Sequence, residues 1–209
     1  MRIVLFGATG RIGSATLQQA LSRGHQVAVL VRDPDRLQFR HERLRVLEGD
    51  ARRRPEVVEV AAGAEAAISA LGPRRNTPED ADAHLQAVRT VLEALEATGV
   101  RRIVAVLGAA VDAPGDRKGA PDRIAGWLVR RFARWVYEAK RQEFDLLRES
   151  RLDWTAVRPP LVVPGPPTGT YEVRLDRPPR PRIRTGDLAE FLVREVEEGR
   201  HVRQAPFVA

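Results

Sequence analysis

Apolar positions along the chain follow two alternating patterns. Short, nearly continuous apolar runs predict buried strands, and they fall at residues 3–6, 26–31, 44–47, 66–71, 102–107 and 155–157. The segments between them repeat apolar residues every three or four positions, which predicts helices, most clearly over residues 12–21, 55–62, 77–98 and 185–198. Strands that alternate with helices and are apolar throughout predict an α/β fold. The expected form is a doubly wound, mostly parallel sheet with helices on both faces, the Rossmann fold.

Two segments stand apart from this alternation. Residues 112–139 begin with the loop residues Pro114-Gly115-Asp116 and continue with an apolar stripe at helical spacing. Core packing or an oligomer interface is the common use of such a stripe, and the alternative is a roof of Trp127 and Phe132 over a planar substrate. Residues 159–181 are rich in proline and glycine, which predicts a loop region forming a small C-terminal extension on the substrate side.

Three glycines occupy the turn between the first predicted strand and the first predicted helix, in the run Gly7-Ala8-Thr9-Gly10-Arg11-Ile12-Gly13. Glycine permits a positive φ, a close approach of backbone to a ligand, and close packing of a helix on a sheet. The start of the helix offers unpaired N–H groups to a phosphate. The spacing is GxxGxxG rather than GxGxxG, so a tight turn without a ligand is the alternative. Polar or glycine-bearing loops after the other strands favour a dinucleotide at the carboxyl edge of the sheet.

The end of the second predicted strand bears on the choice between NADP and NAD. A carboxylate there prefers the 2′-hydroxyl of NAD, whereas an arginine accommodates the 2′-phosphate of NADP. Arg32 and Asp33 are adjacent, and adjacent side chains of an extended segment point in opposite directions. Arg32 leaves the strand first and Arg11 could reach the same phosphate, so NADP(H) is the expected cofactor and NAD(H) the alternative. Asp50 either accepts the adenine amino group or caps the following turn.

Composition narrows the classes of chemistry further. The 209-residue chain has no cysteine, and its four histidines lack metal-ligand spacing, so thiolate catalysis is excluded and a metal site is not expected. The net charge is +7, but of 35 basic residues only Lys118 and Lys140 are lysine, which is typical of a codon bias. We therefore expect dispersed surface arginines and no nucleic-acid partner. No segment is long enough to span a membrane and no secretory signal precedes the first strand, so we expect one cytoplasmic domain over residues 1–209 without a membrane partner.

Most of the chain resembles the atypical short-chain dehydrogenases and reductases. The segments that carry the resemblance are VLFGATGRIGSATL, AVLVRDPDRL, LEGDARRRPEV, AISALGP, VLEALEATGVRRIV, LLRESRLDWTAVRPP and TGTYEVRLDRPPRPRIRTGDLAEFLVREV. They are most similar to the small NAD(P)H-binding, NmrA-like branch, which includes biliverdin reductase B (a flavin reductase) and bacterial NADH-flavin reductases. This framework carries both reductases and NADP-sensing regulators, so the resemblance is specific for fold and cofactor rather than for reaction.

By position, the resemblance implies a set of cofactor contacts. The diphosphate would lie against Gly7, Thr9, Gly10, Arg11, Ile12 and Gly13. Arg32 would bind the 2′-phosphate, and Asp50 and Ala51 would border the adenine. The ribose and nicotinamide side would be formed by Ala70, Leu71 and Gly72, and the nicotinamide would be bordered by Pro159, Pro160 and Leu161.

The candidate catalytic residues are Tyr137 and Lys140. Short-chain reductases often use Tyr-x-x-x-Lys on one helical face, whereas here the tyrosine and lysine are three positions apart, which is one face but not that motif. Related NmrA-like and isoflavone-reductase-like proteins keep a lysine at the place of Lys140. This implies a cation that binds the nicotinamide ribose or stabilises charge on a reduced oxygen. The alternatives are a solvated charge for Lys140 and a partly buried aromatic beside Trp135 for Tyr137.

One position departs from the related flavin reductase. Biliverdin reductase B has a serine at the end of its fifth strand, where this chain has Gly108, and residues 107–110 contain no hydroxyl. A flavin ring needs little acid assistance to accept hydride, so this change counts against carbonyl reduction more than against flavin reduction. We expect an NADPH-dependent oxidoreductase acting on a flavin, quinone or similar planar acceptor, as a monomer or homodimer. The alternative is a catalytically silent NADP(H)-binding sensor with a protein partner.

Overall fold

A computed structural model describes residues 1–37 and 39–209 and centres on a six-stranded sheet. Its strands are β1 (Arg2–Phe6), β2 (Gln26–Val31), β3 (Leu44–Glu48), β4 (Ala66–Ser69), β5 (Arg102–Val106) and β6 (Asp153–Val157). Every neighbouring pair is parallel, in the order β3-β2-β1-β4-β5-β6. The winding direction reverses between β1 and β4, which opens a crevice at the carboxyl ends of the strands. The predicted Rossmann fold is confirmed.

The α-helices of the described residues are α1 (Arg11–Ser22), α2 (Arg54–Ala61), α3 (Pro78–Thr98), α4 (Ala120–Phe132), α5 (Arg134–Glu149) and α6 (Thr185–Glu198). The bounds of α3 follow from its caps: the Thr77 hydroxyl accepts a hydrogen bond from Asp80 N–H, and Gly99 ends the helix at φ 76°. Among the described residues, none of the helices combines the length and apolar character needed to cross a membrane.

Each face of the sheet has its own hydrophobic core. Helices α1 and α6 cover one face, and α2, α3 and α5 cover the other. Successive residues of β1 point to different cores. Leu5 is buried in the core beneath α1 and α6, and Phe6 is buried in the core beneath α2, α3 and α5. Both faces of the sheet are therefore covered, which is why its strands are apolar throughout.

Beyond β6 the chain forms an extension of short strands where the sequence predicted a loop region. β7 (Leu161–Val163) pairs in parallel with β9 (Arg182–Arg184), and β8 (Val173–Arg174) pairs in antiparallel with β10 (Phe207–Val208). The C-terminal segment also runs beside β6, because Ala156 N–H donates to the Gln204 carbonyl over 3.0 Å. These pairings join positions far apart in the sequence, so local patterns do not predict them.

The apolar stripe predicted over residues 112–139 divides between α4 and α5. Asn76 holds their junction: its side-chain nitrogen donates to the Phe132 carbonyl and its Oδ1 accepts from Trp135 N–H, both over 2.9 Å. Core packing, one of the two common uses expected for this stripe, is wrong for α4, because Gly126 is its one buried residue, whereas the expectation of an oligomer interface stays a prediction. In α5, by contrast, Ala139, Lys140, Glu143, Phe144 and Leu147 are buried.

Candidate cofactor cleft

The glycine turn between β1 and α1 has the tight geometry that its sequence predicts. Gly7 adopts φ +83°, and a Cβ atom there would lie 2.7 Å from the Ala70 carbonyl oxygen. At Gly13 a Cβ atom would overlap the backbone of Gly7. Gly7 therefore supplies a positive φ and a close approach to the end of β4, and Gly13 allows α1 to pack directly on the turn.

The amino end of α1 has features that suit an anion. Its cap residue is Gly10, no side chain caps the helix, and the first turn carries no acidic residue. Within α1, Ser14 has the first N–H group that donates to a backbone carbonyl, that of Gly10, over 2.8 Å. The preceding donors and the positive end of the helix dipole are therefore available to a phosphate.

Next to this helix end, a cleft of about 230 Å³ runs along the carboxyl edge of the sheet. It brings together seven of the predicted cofactor residues, namely Gly7, Thr9, Arg32, Asp50, Ala51, Leu71 and Gly72. An adjoining cavity of about 500 Å³ shares Arg32 and Asp50 with it. Another cavity, of about 340 Å³, opens at the opposite, amino end of β1 to β3, whereas open α/β sheets bind ligands at the carboxyl ends.

Arg32 and Asp33 differ in what their side chains do. The Asp33 carboxylate accepts a hydrogen bond of 3.1 Å from Asp35 N–H and so caps the short 3-10 helix Pro34–Arg36. Arg32 is exposed and borders both the cleft and the adjoining cavity. The carboxylate that would favour NAD is thus engaged in a local turn, and the guanidinium that would favour NADP faces the cleft.

Asp50 forms the turn that was one of its two predicted roles. Its Oδ1 accepts from Arg52 N–H over 3.0 Å, and its carboxylate also binds the Arg52 guanidinium. These hydrogen bonds hold the pKa of the Asp50 carboxyl below its ordinary value of 3.8. The Asp50 N–H donates to Glu56 over 2.6 Å. Contact of Asp50 and Ala51 with adenine stays a prediction, and Arg52 is a lining residue that the sequence had not singled out.

Lys140 is buried, so its interpretation as a solvated charge is wrong. Its Nζ donates to the Leu71 carbonyl over 2.6 Å, to the Val106 carbonyl over 2.7 Å and to Glu143 Oε2 over 2.7 Å. An ammonium has three donors, and each has a protein acceptor here. The lysine therefore joins α5 to the carboxyl ends of β4 and β5, directly beneath the wall of the cleft. Direct contact between Lys140 and the cofactor stays a prediction.

The acceptor Glu143 belongs to a buried network that sequence reasoning missed. Glu143 Oε2 also accepts from His84 Nε2 over 2.8 Å, and both side chains are 2% exposed. Burial by itself raises the pKa of the Glu143 carboxyl, but the neighbouring Lys140 and His84 outweigh it, so the pKa lies below the ordinary 4.5. His84 in turn lines the cleft. The one signal for this network in the sequence was the rarity of lysine.

Tyr137 is half-buried on α5, and the Arg130 guanidinium lies 5.6 Å from the centre of its ring. The partly buried aromatic expected as its alternative is therefore observed, and a catalytic role for Tyr137 stays a prediction. Trp127 and Phe132, the predicted roof, are 58% and 69% exposed on α4. Neither packs against the hydrophobic cores.

The predicted nicotinamide border lies at the ends of β5 and β6. Pro159 is buried and its carbonyl accepts from Ala109 N–H over 2.9 Å, Pro160 is half-buried, and Leu161 is 66% exposed. A Cβ atom at Gly108 would meet no atom of the described structure within 4 Å. Gly108, which the sequence resemblance matches with a serine, therefore faces open space in this protein.

A second buried cation fixes the loop that follows β5. The Arg158 guanidinium is buried and forms two hydrogen bonds of 2.8 Å with the Asp116 carboxylate. It also lies 3.7 Å from the centre of the Phe207 ring. Arg158 precedes the two prolines of the predicted nicotinamide border, so this pair ties β6 and the C-terminal strand to the loop beside the cleft.

A glycine turn, an uncapped helix start and an arginine of the cleft at the end of β2 are the features of a nucleotide-binding Rossmann domain. A family model described as NAD(P)H-binding matches residues 7–199. The chain belongs to this NAD(P)H-binding family. The resemblance to NAD(P)H-binding proteins and the cofactor class expected from the sequence are confirmed.

Individual proteins are also similar to this chain. A 3-diazoavenalumate denitrifying reductase from Streptomyces sp. is 36% identical over 115 residues, which cover 50% of this chain and 37% of that protein. The match therefore spans little more than a third of the relative's length. A short-chain dehydrogenase/reductase from Veillonella parvula in complex with NADP gives a TM-score of 0.82 at 19% identity, covering 100% of this chain and 94% of that one. ChuY, an anaerobillin reductase from Escherichia coli O157:H7, gives 0.80 at 21% identity, covering 100% and 96%. At these identities the two structures share the fold with this chain.

Proposed function

We propose that this protein is an NADPH-dependent oxidoreductase that passes hydride directly to a flavin, quinone or similar planar acceptor. The observation that carries the proposal is the cleft at the carboxyl edge, which is lined both by Gly7 and Thr9 of the glycine turn before the uncapped α1 and by Arg32. The reductase names of the Streptomyces and Escherichia coli relatives support the reaction class.

In this proposal the residues of the cleft bind and orient NADPH. The N–H groups at the start of α1 hold the diphosphate, and the guanidinium of Arg32 pairs with the 2′-phosphate. Backbone of Asp50 and Ala51 borders the adenine, and residues 70–72 lie beside the nicotinamide ribose. NADPH supplies the hydride when bound. The prolines at 159 and 160, with Leu161, close one side of the nicotinamide position and limit water there.

The loop that follows β5 favours a planar acceptor. Residues 107–110 carry no hydroxyl, and the donors of Lys140 are directed at protein acceptors. Carbonyl reduction requires a proton at the developing alkoxide, whereas hydride transfer to the ring nitrogen of a flavin makes a much smaller demand.

The second candidate is an NADP(H)-binding sensor that does not turn over. The same two observations favour it, namely the missing hydroxyl beside Gly108 and the engaged ammonium of Lys140. Under this alternative, a protein partner would respond to the bound nucleotide.

One experiment separates the two candidates. Purified protein is incubated with NADPH and, in turn, FMN, riboflavin and a soluble quinone, while nucleotide affinity is measured by calorimetry. The oxidoreductase predicts loss of the near-ultraviolet absorbance of NADPH with at least one acceptor. Tight NADPH binding without consumption across the whole set supports the sensor. Failure to bind NADPH at millimolar concentration contradicts both.

A further inference from the structure

Helix α4 presents an apolar face to solvent. Ile124, Trp127, Leu128, Val129 and Phe132 are between 38% and 69% exposed. They make up five of the ten large hydrophobic residues that are exposed in the described part of the chain, although α4 has only 13 residues. We call these five residues the outer face of α4.

The opposite side of α4 is attached to the protein through polar groups. Gly126 lies against the body, and Asp122, Arg123 and Arg130 line a polar cleft beside it. Within that cleft Arg130 pairs with Asp112 over 3.3 Å. The usual arrangement of a surface helix, apolar side inward and polar side outward, is therefore reversed.

The width of the outer face argues against a partner helix. At 100° per residue, positions from Trp127 round to Val129 span an arc of about 200°. An apolar stripe that packs against another helix or a protein core is typically about half as wide. A helix lying in the boundary between lipid headgroups and acyl chains can bury such a broad face, because lipid surrounds it from both sides.

Positive charge predominates around the outer face, because α4 carries three arginines and one carboxylate, that of Asp122. Arg131 lies within its arc, and Arg123 and Arg134 are exposed near its two ends. None of these three arginines forms an ion pair within 4.0 Å with a carboxylate of residues 1–37 or 39–209. A second copy of the chain docking here would bring the arginines of both copies together. Anionic lipid headgroups would instead neutralise them, while the long arginine side chains reach outward from the apolar contact.

We infer that α4 docks on the surface of a membrane rich in anionic lipid, with its outer face in the interfacial layer. This binding differs from membrane spanning, and it departs from the expectation that the protein has no membrane partner. The junction of α4 and α5 is held by Asn76, which follows the cleft residues 71–74 in the loop after β4. The docked helix would therefore adjoin the loop that carries the cleft residues 71–74.

Sedimentation with lipid vesicles tests this inference. Full-length protein is mixed with vesicles of phosphatidylcholine alone or of phosphatidylcholine with phosphatidylglycerol, at low and at high salt. We expect binding to the anionic vesicles that weakens with salt, and little binding to the neutral ones. The double variant Trp127→Ser with Phe132→Ser should bind at least about tenfold more weakly, because it loses its two largest interfacial anchors.

Matched variants separate the outer face from general surface properties. Leu175→Ser with Val202→Ser removes two exposed apolar residues elsewhere and should leave vesicle binding unchanged. Arg131→Ala with Arg134→Ala should reduce binding and its salt dependence, whereas Arg89→Ala with Arg151→Ala changes the net charge equally and should have little effect. Retained NADPH affinity in each variant shows that the fold is intact.

Three results overturn the inference. They are no binding to anionic vesicles, equal loss of binding in the outer-face and control variants, and a homodimer in solution that Trp127→Ser with Phe132→Ser dissociates. The last result would assign the outer face to contacts between copies of the chain. Each is independent of whether NADPH is oxidised.

Discussion

The ammonium of Lys140 donates a 2.6 Å hydrogen bond to the main-chain carbonyl of Leu71, and so ties α5 to the wall of the cofactor cleft. The same group bonds the Val106 carbonyl at the end of β5. One buried cation thus sets the spacing between the two strand ends on which the nicotinamide is proposed to lie. We regard Lys140 on this basis as a positioning residue.

Replacing Lys140 with methionine should reduce turnover by at least about tenfold while NADPH affinity stays within about tenfold, since the diphosphate and ribose-phosphate contacts lie elsewhere. Steady-state kinetics with an accepted flavin or quinone gives kcat and KM separately. Arg141→Ala, on the exposed side of the same helix, serves as the control and should behave as wild type. Unchanged kcat in Lys140→Met would remove the residue from the mechanism.

The Glu143 carboxylate should make stability depend on pH. Its pKa is lowered in the folded protein, so its charged form contributes stability that is present above the ordinary carboxyl pKa of 4.5 and is lost as the pH falls below it. Glu143→Gln leaves the Lys140 ammonium buried beside a neutral amide, and should lower the free energy of unfolding at neutral pH by about 3 kcal/mol.

Urea unfolding of wild type and Glu143→Gln from neutral to acid pH measures this effect. The difference between the two proteins should be constant near neutrality and shrink below pH 4.5. Glu138→Gln removes a partly exposed carboxylate of the same helix, which forms a surface ion pair with Arg141, and should change stability by less than about 0.5 kcal/mol. A difference that does not vary with pH would mean that the charge of Glu143 contributes nothing.

Arg32→Ala should weaken NADPH binding by at least about tenfold and NADH binding by less than about twofold, because only NADPH has the 2′-phosphate. Calorimetry with both nucleotides provides the comparison. Arg36→Ala, an exposed arginine of the adjoining 3-10 helix, controls for a general loss of positive charge. Equal losses for the two nucleotides would refute the assignment of Arg32 to the 2′-phosphate.

Gly108→Ser should be accommodated without loss of stability, since a Cβ atom there meets open space. The new hydroxyl would supply the proton donor that residues 107–110 lack, and activity toward aromatic ketones or aldehydes should rise by at least about tenfold. Gly108→Ala fills the same space without a hydroxyl and should give no gain. Equal activity of the serine and alanine variants would show that a missing acid is not what limits carbonyl reduction.

Much of the fold and part of the cleft followed from the sequence alone. Strand and helix positions are local properties, because an apolar run or a repeat of three to four residues fixes which face is buried. The order of elements then restricts the sheet to right-handed parallel crossovers. The turn around Gly7 and the position of Arg32 at the end of β2 were predictable for this reason, since both are set within one strand and its following loop.

The tertiary structure alone decided the contacts between segments that are distant in the sequence. Lys140 and Glu143 could be read as helix residues, but their bonds to β4, β5 and His84 exist only because α5 packs beside α3 on the sheet. The apolar stripe of α4 predicted a buried face. In the structure the polar face around Gly126 lies against the protein, and the apolar face is exposed. Periodicity shows that a helix has two unlike faces, but which face meets the protein depends on long-range packing that no local pattern contains.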